Sequence, residues 1–248
     1  MKTIHCLSAP DKKMTWLMII IIGALMSSTL SAQNAKSDIQ KINQVFIAQN
    51  EFAISMAYNL YANYSSGVVY STEKGEVERS GQKEYSKLAS IETVINDKYA
   101  VVIDNMAKAI MVQKAEKMKQ KNVLPISLDT IIKYCKSIEY QKTSSDIGEY
   151  TLKMGFSDYQ QIDIYFNTKT FLLTKLVLYS KKAKKLDEND AKLKKEKPRL
   201  EIVFAEINLK PEIAPSVFSE ATYITISGNT ITGNGKYKNY KIINGLKN

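Results

Sequence analysis

Histidine and cysteine are nearly absent from this sequence, and their absence excludes most of the usual catalytic chemistry. The 248 residues include one histidine, His5, and two cysteines, Cys6 and Cys135. Zinc, copper and most iron sites take imidazole or thiolate ligands, and Ser-His-Asp or Cys-His catalysis requires a histidine. His5 and Cys6 lie in the first 32 residues, which we interpret below as a leader that is removed. Only carboxylate chemistry, Ser-Lys chemistry or no chemistry is left for the remainder.

Disulfides and phosphate-binding loops are also missing after the leader. Cys135 has no second cysteine to pair with, and its apolar surroundings in the sequence predict a buried, unreactive thiol. The ten glycines are scattered, with one cluster at residues 228–235, so no glycine-rich phosphate loop is formed. The acidic pairs that remain are Glu76 with Glu78 and Asp158 with Asp163. Their spacing is that of solvent-facing strand residues, so we predict that the protein is not an enzyme and uses neither cofactor nor metal.

The N-terminus has the build of a secretory signal peptide. Lys12 and Lys13 precede an apolar stretch, Met14–Leu30, and small residues follow up to Ala32. We predict cleavage after Ala32, so that residues 1–32 are the signal peptide. An uncleaved anchor is the alternative that stays open, because an apolar run of about 17 residues is at the lower limit for spanning a bilayer.

The chain after the leader begins with a helical pattern and then changes to a strand pattern. Ser37 is a good helix N-cap. The apolar residues that follow it at helical spacing are Ile39, Ile42, Val45 and Phe46. From Phe52 to Leu60, large apolar residues alternate with small or polar ones, which is typical of a strand with one buried face.

Short segments at close spacing then predict an antiparallel meander. The predicted strands are Gly75–Ser80, Lys83–Leu88, Ile91–Ile95, Lys98–Ile103 and Ala107–Gln113. The dipeptides between them, such as Ser80-Gly81 and Asn96-Asp97, suit tight turns. Connections this short join only antiparallel neighbours.

A second helix and four longer strands follow. Ser127 can cap a helix that continues to about Tyr140. The apolar stripe of that helix is Ile131, Ile132, Cys135 and Ile138. The later strands are predicted at Gly148–Phe156, Gln161–Asn167, Phe171–Ser180 and Arg199–Leu209. Because Phe171–Ser180 is apolar on both faces, we predict a central strand there.

Two segments stand outside this pattern. Residues 181–197 contain eight lysines and four acids, and we predict a solvated hairpin loop with a turn of helix at Asp190–Lys195. A docking surface for an acidic partner or for anionic lipid headgroups is the alternative. Residues 223–248 are predicted to be a C-terminal extension in which Tyr223–Ser227 pairs with Tyr237–Ile243. Aromatic residues do not interleave with the lysines, so nucleic acid is not expected as a partner.

Three segments carry a likeness to a known family. They are Phe52–Met56 as a first strand, Tyr85–Asp104 as a meander, and Leu200–Phe218 as a closing strand with a short turn. In this order of elements, residues 33–222 resemble the LolA-type periplasmic lipoprotein carriers. The resemblance implies a mainly-β fold with two or three short helices, in which an unclosed antiparallel β-barrel surrounds an apolar cavity under a helical lid.

The resemblance also implies a function: non-catalytic binding or transport of lipid or lipoprotein acyl chains in the periplasm of a Gram-negative envelope. The residues that would line the cavity are Phe52, Ile54, Met56, Tyr58, Tyr99, Val101 and Ile103 from the sheet, with Ile131, Ile132 and Ile138 from the lid. Each of them is equally an ordinary core position. The family holds its lid through an arginine bonded to backbone carbonyls, and Arg79 is near the matching place. An exposed strand residue is the alternative interpretation of Arg79.

A second function stays open beside the carrier. The chain departs from the family plan because it has no tryptophan after the leader and because it adds the lysine-rich insert and the C-terminal extension. The same fold would then serve as a structural or adaptor protein of a cell-envelope assembly, with residues 181–197 and the C-terminal hairpin as contact surfaces. Either way, we expect no stable membrane span after cleavage.

Overall fold

The computed structural model describes residues 35–118, 127–155, 157–187, 189–190, 194–228 and 230–246, and the predicted signal peptide lies outside them. This part of the chain contains helix α1 at 35–47 and helix α2 at Leu128–Tyr134. The first seven strands are β1 Glu51–Tyr61, β2 Ser71–Ser80, β3 Lys83–Leu88, β4 Ile91–Ile95, β5 Tyr99–Asp104, β6 Ala109–Lys114 and β7 Cys135–Lys142. The other seven are β8 Ile147–Met154, β9 Tyr159–Asn167, β10 Leu173–Ser180, β11 Arg199–Asn208, β12 Ile224–Ser227, β13 Thr230–Gly233 and β14 Lys241–Asn244.

Twelve of these strands form one curved sheet in the order β14-β6-β5-β4-β3-β2-β1-β11-β10-β9-β8-β7. Every neighbouring pair is antiparallel except β14 and β6, which are parallel. The sheet does not close, because β14 and β7 form its two edges. The predicted fold class, mainly β with few short helices and an unclosed sheet, is confirmed.

The meander and the central strand are where the sequence predicts them. Strands β2 to β6 pair in chain order through short turns. Strand β10 lies between β9 and β11, and it buries Leu176 and Leu178 on one face and Val177 on the other. Apolar side chains on both faces are what a central strand requires.

Both predicted helices have different boundaries in the structure. Residue 35 is already helical and its side chain is buried, so Ser37 lies inside α1 and is not its N-cap. Helix α2 ends at Tyr134, where the predicted helix continued to about Tyr140. From Cys135 onward the backbone is extended and pairs with β8. In this strand the backbone of eight residues forms hydrogen bonds with β8, so continuing the helix would add none.

The C-terminal extension also pairs differently from the prediction. Strand β12 forms a hairpin with β13, and the last strand, β14, instead joins the edge of the large sheet beside β6. The predicted pairing of Tyr223–Ser227 with Tyr237–Ile243 is therefore wrong. The unpaired edge of β6 offers β14 backbone partners that the four-residue β12 hairpin alone does not provide. The predicted turn of helix at Asp190–Lys195 includes residues 191–193, which lie outside the described residues.

The two faces of the sheet are covered by different parts of the chain. Helix α1 packs on one face, which we call the helix face, over β1 and β8 to β11. Residues 223–246, which we call the C-terminal cover, pack on the other face, called here the opposite face, over β4 to β6, and end in β14, which is itself a strand of the sheet. The side chains of the cover that are buried there are Tyr223, Ile224, Ile231 and Tyr237.

Hydrogen bonds around a buried carboxylate join the C-terminal cover to the meander. Glu92 accepts a hydrogen bond from Asn105 Nδ2 at 2.8 Å, and the hydroxyls of Tyr85 and Tyr237 lie 3.5 Å from its other oxygen. Near the start of the cover, Asn96 Nδ2 donates to the backbone oxygen of Phe218 at 3.3 Å. Buried polar groups with such partners favour a single position of the cover on the meander.

The opposite face of β8 and β9 is polar although it is partly buried. Glu149 accepts hydrogen bonds from Gln141 at 2.6 Å and from the Tyr165 hydroxyl at 2.9 Å. The buried Asp163 accepts one from Gln161 at 2.8 Å. Burial raises the pKa of the Asp163 carboxyl, and the hydrogen bonds that it accepts lower it by less. Apolar residues therefore face α1 in this half of the sheet, and polar residues face away from it.

Candidate functional site

The residues expected to line an apolar cavity divide between the two faces of the sheet. Phe52, Ile54 and Met56 lie on the helix face of β1 and are buried. The side chains of α1 that pack over this region are Ala35, Ile39, Ile42 and Phe46. The rings of Phe46 and Phe52 meet edge to face, with 5.9 Å between their centroids. Side chains of the protein itself therefore pack against these three residues.

Tyr58 and the residues expected in a lid lie at the border of this packed region. Tyr58 is half-buried on β1, and Ile131 and Ile132 pack against the same cluster from α2. Ile138 also contacts the cluster, but it does so from β7. The prediction that Ile138 belongs to the second helix is therefore wrong.

Tyr99, Val101 and Ile103 lie on the opposite face and not with Phe52. The face of each residue follows from the strand register, because side chains of paired residues point to the same side of a sheet. Val101 and Ile103 are buried beneath the C-terminal cover, and Tyr99 packs at its margin. The structure thus does not bring these three residues together with Phe52, Ile54 and Met56.

A set of apolar side chains that sequence reasoning missed lies on the helix face of the meander. These are Val77, Leu88, Ile91, Val102, Met111 and Ile243, which we call the apolar strip. Leu88 lies opposite Ile91 across β3 and β4. Met111 lies opposite Val102 on one side and Ile243 on the other. The strip therefore runs across six neighbouring strands, from β2 to β14.

The apolar strip remains partly open to solvent. Leu88, Ile91 and Ile243 are 44%, 37% and 47% exposed, and the other members are half-buried. Val77 also contacts the cluster under α1, so the strip begins where the packed region ends. The sequence does contain a sign of this strip, because several meander strands have apolar residues on both faces. Val102, for example, lies between the apolar Val101 and Ile103, which point to the other face.

Arg79 and Glu84 are neighbours of opposite charge on the same face, next to the strip. They lie opposite each other on β2 and β3. The Arg79 guanidinium carbon is 6.0 Å from the centre of the Phe52 ring. Burial raises the pKa of the Glu84 carboxyl, and the charge of Arg79 lowers it by less. Among the described residues no hydrogen bond joins Arg79 to a helix carbonyl, so its role as a lid latch stays a prediction.

Metal ligands and membrane-spanning helices were sought in the same residues. No group of three or more His, Cys, Asp or Glu side chains in the described part of the chain is placed to hold a metal ion. No helix in that part is long and apolar enough to cross a membrane. The Cys135 thiol is half-buried and donates to the backbone oxygen of Ile132 at 3.1 Å, and burial raises its pKa.

Comparisons with known proteins return structural similarity only. No family model and no curated protein matches this chain. The chain is similar to a LolA superfamily protein from Nitrosomonas europaea, at 11% identity over 75% of this chain and 98% of that one, with a TM-score of 0.32. It is also similar to the lipoprotein LppX of Mycobacterium tuberculosis, at 6% identity over 73% and 99%, with a TM-score of 0.41.

A further similarity is to a structure of the MucA/MucB complex of Pseudomonas aeruginosa. Here the identity is 12% over 75% of this chain and 60% of the matched chain, with a TM-score of 0.44. At identities and TM-scores this low, the likeness does not extend to a ligand or a partner.

Proposed function

We propose that this protein is a non-catalytic periplasmic binder or carrier of lipid or lipoprotein acyl chains. The apolar strip is the observation that carries the proposal. It places six apolar side chains on one face of the sheet, next to a packed core, and leaves three of them more than a third exposed. A row of half-open apolar residues across six strands is a surface that a hydrocarbon chain can cover.

The strip is longer than one acyl chain and can accommodate its whole length. Neighbouring strands are about 4.8 Å apart, so the distance from β2 to β14 is roughly 24 Å. The hydrocarbon core of a bilayer is about 30 Å thick and contains two acyl chains end to end, so one chain extends about 15 Å. Each methylene that the strip shields from water would contribute about 0.8 kcal/mol.

Several residues expected from the sequence would form the wall beside the strip. A Cβ atom built on Gly75 would be 2.7 Å from the Tyr58 ring and 3.6 Å from Leu88, so these two side chains approach each other over Gly75. Phe52, Ile54 and Met56 would support Tyr58 from the packed region, and α2 would close the side with Ile131 and Ile132.

The test is to replace two exposed residues of the strip that lie opposite each other on β3 and β4, by Leu88→Ser and Ile91→Ser. Full burial of such a side chain contributes about 1.5–3 kcal/mol, so losing partial coverage of both would weaken acyl binding by about 2 kcal/mol, or roughly 30-fold. Affinity is measured with a fluorescent fatty acid, and co-purifying lipid is measured by native mass spectrometry of the protein purified after export.

Met106→Ser is the matched control, because Met106 is an exposed methionine in the turn between β5 and β6 and lies outside the strip. We expect it to bind the fatty acid as the unchanged protein does. A purified protein free of lipid, with an affinity that the strip variant does not change, would contradict the proposal.

The second candidate is the envelope adaptor that uses residues 181–197 and the C-terminal hairpin as contact surfaces. It has less support, because Tyr223, Ile224, Ile231 and Tyr237 of the C-terminal segment are buried against the protein's own sheet. A cross-linked protein partner that still binds after removal of lipid would favour the adaptor.

A further inference from the structure

Two loops lie side by side at one end of the sheet. The first, residues 62–70, joins β1 to β2, and the second, residues 181–198, joins β10 to β11. Because β1 pairs with β11 and places Tyr61 opposite Arg199, both loops leave the sheet at the same end. Backbone hydrogen bonds in both directions between Lys184 and Glu196 close the base of the second loop as a hairpin.

Side-chain contacts hold the two loops together as one projecting unit. The Tyr64 ring meets the Tyr179 ring edge to face, with 5.1 Å between the centroids, and its hydroxyl donates to the backbone oxygen of Ser180. The Arg199 guanidinium donates to the backbone oxygens of Tyr64 at 2.5 Å and Ser66 at 3.2 Å. These bonds fix the path of residues 64–66, in the middle of the first loop.

Arg199 is itself held in place from the sheet. Its guanidinium lies 4.1 Å from the centre of the Tyr61 ring and 3.2 Å from a carboxylate oxygen of Glu201. Both charged side chains are largely buried. Arg199 therefore acts as the support for the first loop rather than as a free surface charge.

The last three residues of the first loop, which lead into β2, are apolar and exposed to solvent. These are Val68, Val69 and Tyr70, and Val68 is 77% exposed. The Ser66 side chain accepts a hydrogen bond from the Val68 backbone N–H at 3.2 Å and holds the turn. A run of exposed apolar residues weakens solubility and has no role in the core, so it points to a contact outside the molecule.

The neighbouring second loop is rich in positive charge. Its exposed lysines in the described residues are Lys181, Lys182, Lys184, Lys194, Lys195 and Lys197. Its acids are fewer, four against eight lysines in residues 181–197. Of these acids, Glu196 accepts a hydrogen bond from Asn63 at 2.5 Å, and outside the loop Asp158 lies 3.9 Å from Lys182. An excess of lysine therefore remains on the loop that lies beside the first loop.

We propose that this end of the molecule binds the surface of an anionic phospholipid bilayer. Val68, Val69 and Tyr70 enter the interface between headgroups and acyl chains, and the lysines of the second loop contact the headgroups. Lysine is a compact point charge without the fixed fork of arginine, so it suits a diffuse negative surface better than one defined carboxylate. This proposal goes beyond acyl-chain binding and does not depend on it, because the two surfaces share no residue.

The experiment is flotation of the exported, purified protein with lipid vesicles. One set contains phosphatidylcholine with about 30% phosphatidylglycerol, and the other contains phosphatidylcholine alone. We expect binding to the anionic vesicles, and at least about tenfold less binding to the neutral ones or at about 0.5 M salt, where charges are screened. We expect Val68→Ser with Val69→Ser to lower the bound fraction about tenfold through loss of the apolar contact.

The charge contribution is tested with a triple variant, Lys181→Gln, Lys182→Gln and Lys184→Gln. Its matched control replaces three other exposed lysines, Lys142, Lys169 and Lys210, by glutamine. They lie at the end of the sheet away from the two loops. We expect about a tenfold loss for the first variant and less than twofold for the control. Unchanged circular dichroism and melting temperature show that all variants are folded.

Equal binding by the two triple variants, or no binding to anionic vesicles by the unchanged protein, overturns the proposal. Binding of poly-glutamate without binding of vesicles assigns the lysines to an acidic protein partner and also overturns it. Leu88→Ser with Ile91→Ser should leave vesicle binding unchanged, which separates this test from that of the acyl site.

Discussion

The C-terminal cover packs on the opposite face of the sheet, and Ile224 is the side chain that tests how much this cover stabilises the protein. Ile224 is the first residue of β12 and is only 1% exposed. It belongs to the same cluster as Val94, Val101 and Ile103 of the meander. Ile224→Ala removes apolar contact at this junction and leaves the backbone hydrogen bonds of β12 in place.

The expected loss follows from the atoms removed and the space they leave. Isoleucine has three carbon atoms more than alanine, at about 0.8 kcal/mol each, which gives about 2.4 kcal/mol. If the cavity of roughly 75 Å³ does not collapse, it adds about 1.8 kcal/mol. We therefore expect Ile224→Ala to lower the free energy of unfolding by about 2–4 kcal/mol. For a chain of this size that corresponds to a fall in melting temperature of about 5–15 °C.

Urea unfolding followed by circular dichroism and tyrosine fluorescence measures this loss. The matched control is Ile243→Ala in the same C-terminal segment, where the side chain is half exposed and the loss should be below about 1 kcal/mol. If the two variants have equal stability, the cover contributes no core at Ile224 and the reasoning is refuted. A changed slope of free energy against urea would show instead that the cover unfolds separately.

Three further outcomes are expected. Because the pKa of Asp163 is raised in the folded state, the folded protein binds more protons than the unfolded chain between about pH 4 and that raised pKa, and stability falls as pH rises through this window. Asp163→Asn should flatten this dependence in urea titrations, and an unchanged dependence would contradict it. Gly75→Ala should lower the free energy of unfolding by about 1 kcal/mol in thermal unfolding, because the new Cβ atom would meet the Tyr58 ring. In a Tyr58→Ala background the same substitution should cost less, and an equal cost in both backgrounds would contradict the clash. Cys135 should react with iodoacetamide at least about tenfold faster in urea than in the folded protein, and equal rates would show that its thiol is not protected.

Alternation along a strand predicted much of this fold, and it failed where two periods fit equally well. Phe52, Ile54 and Met56 alternate with small or polar residues, and the strand and its buried face are as predicted. Ile131, Cys135 and Ile138 fit helical spacing, but the residues from Cys135 onward also fit a strand. Pairing with β8 decides between the two, and a local pattern contains no information about a partner strand.

The face on which the meander packs was also beyond local prediction. In β5, Ala100 and Val102 are apolar on one face, and Val101 and Ile103 are apolar on the other. Val101 and Ile103 are buried by residues 223–246, more than a hundred positions later in the chain, whereas Ala100 is buried with Ala115 and Val102 stays half-buried. The parallel pairing of β14 with β6 also joins residues that are far apart in the sequence. The same holds for the hydrogen bonds from Arg199 to residues 64–66.

The positions of the two covers explain why the apolar strip stays open. A meander of short strands needs at least one buried face to be stable. Helix α1 packs over β1 and β8 to β11, where Phe52 and the later strands supply its contacts, so the meander obtains its buried face from the C-terminal cover. Had residues 223–246 packed on the helix face instead, Leu88, Ile91 and Val102 would be core and nothing would remain for a ligand. The extension therefore stabilises the meander from the side that an acyl chain would not use.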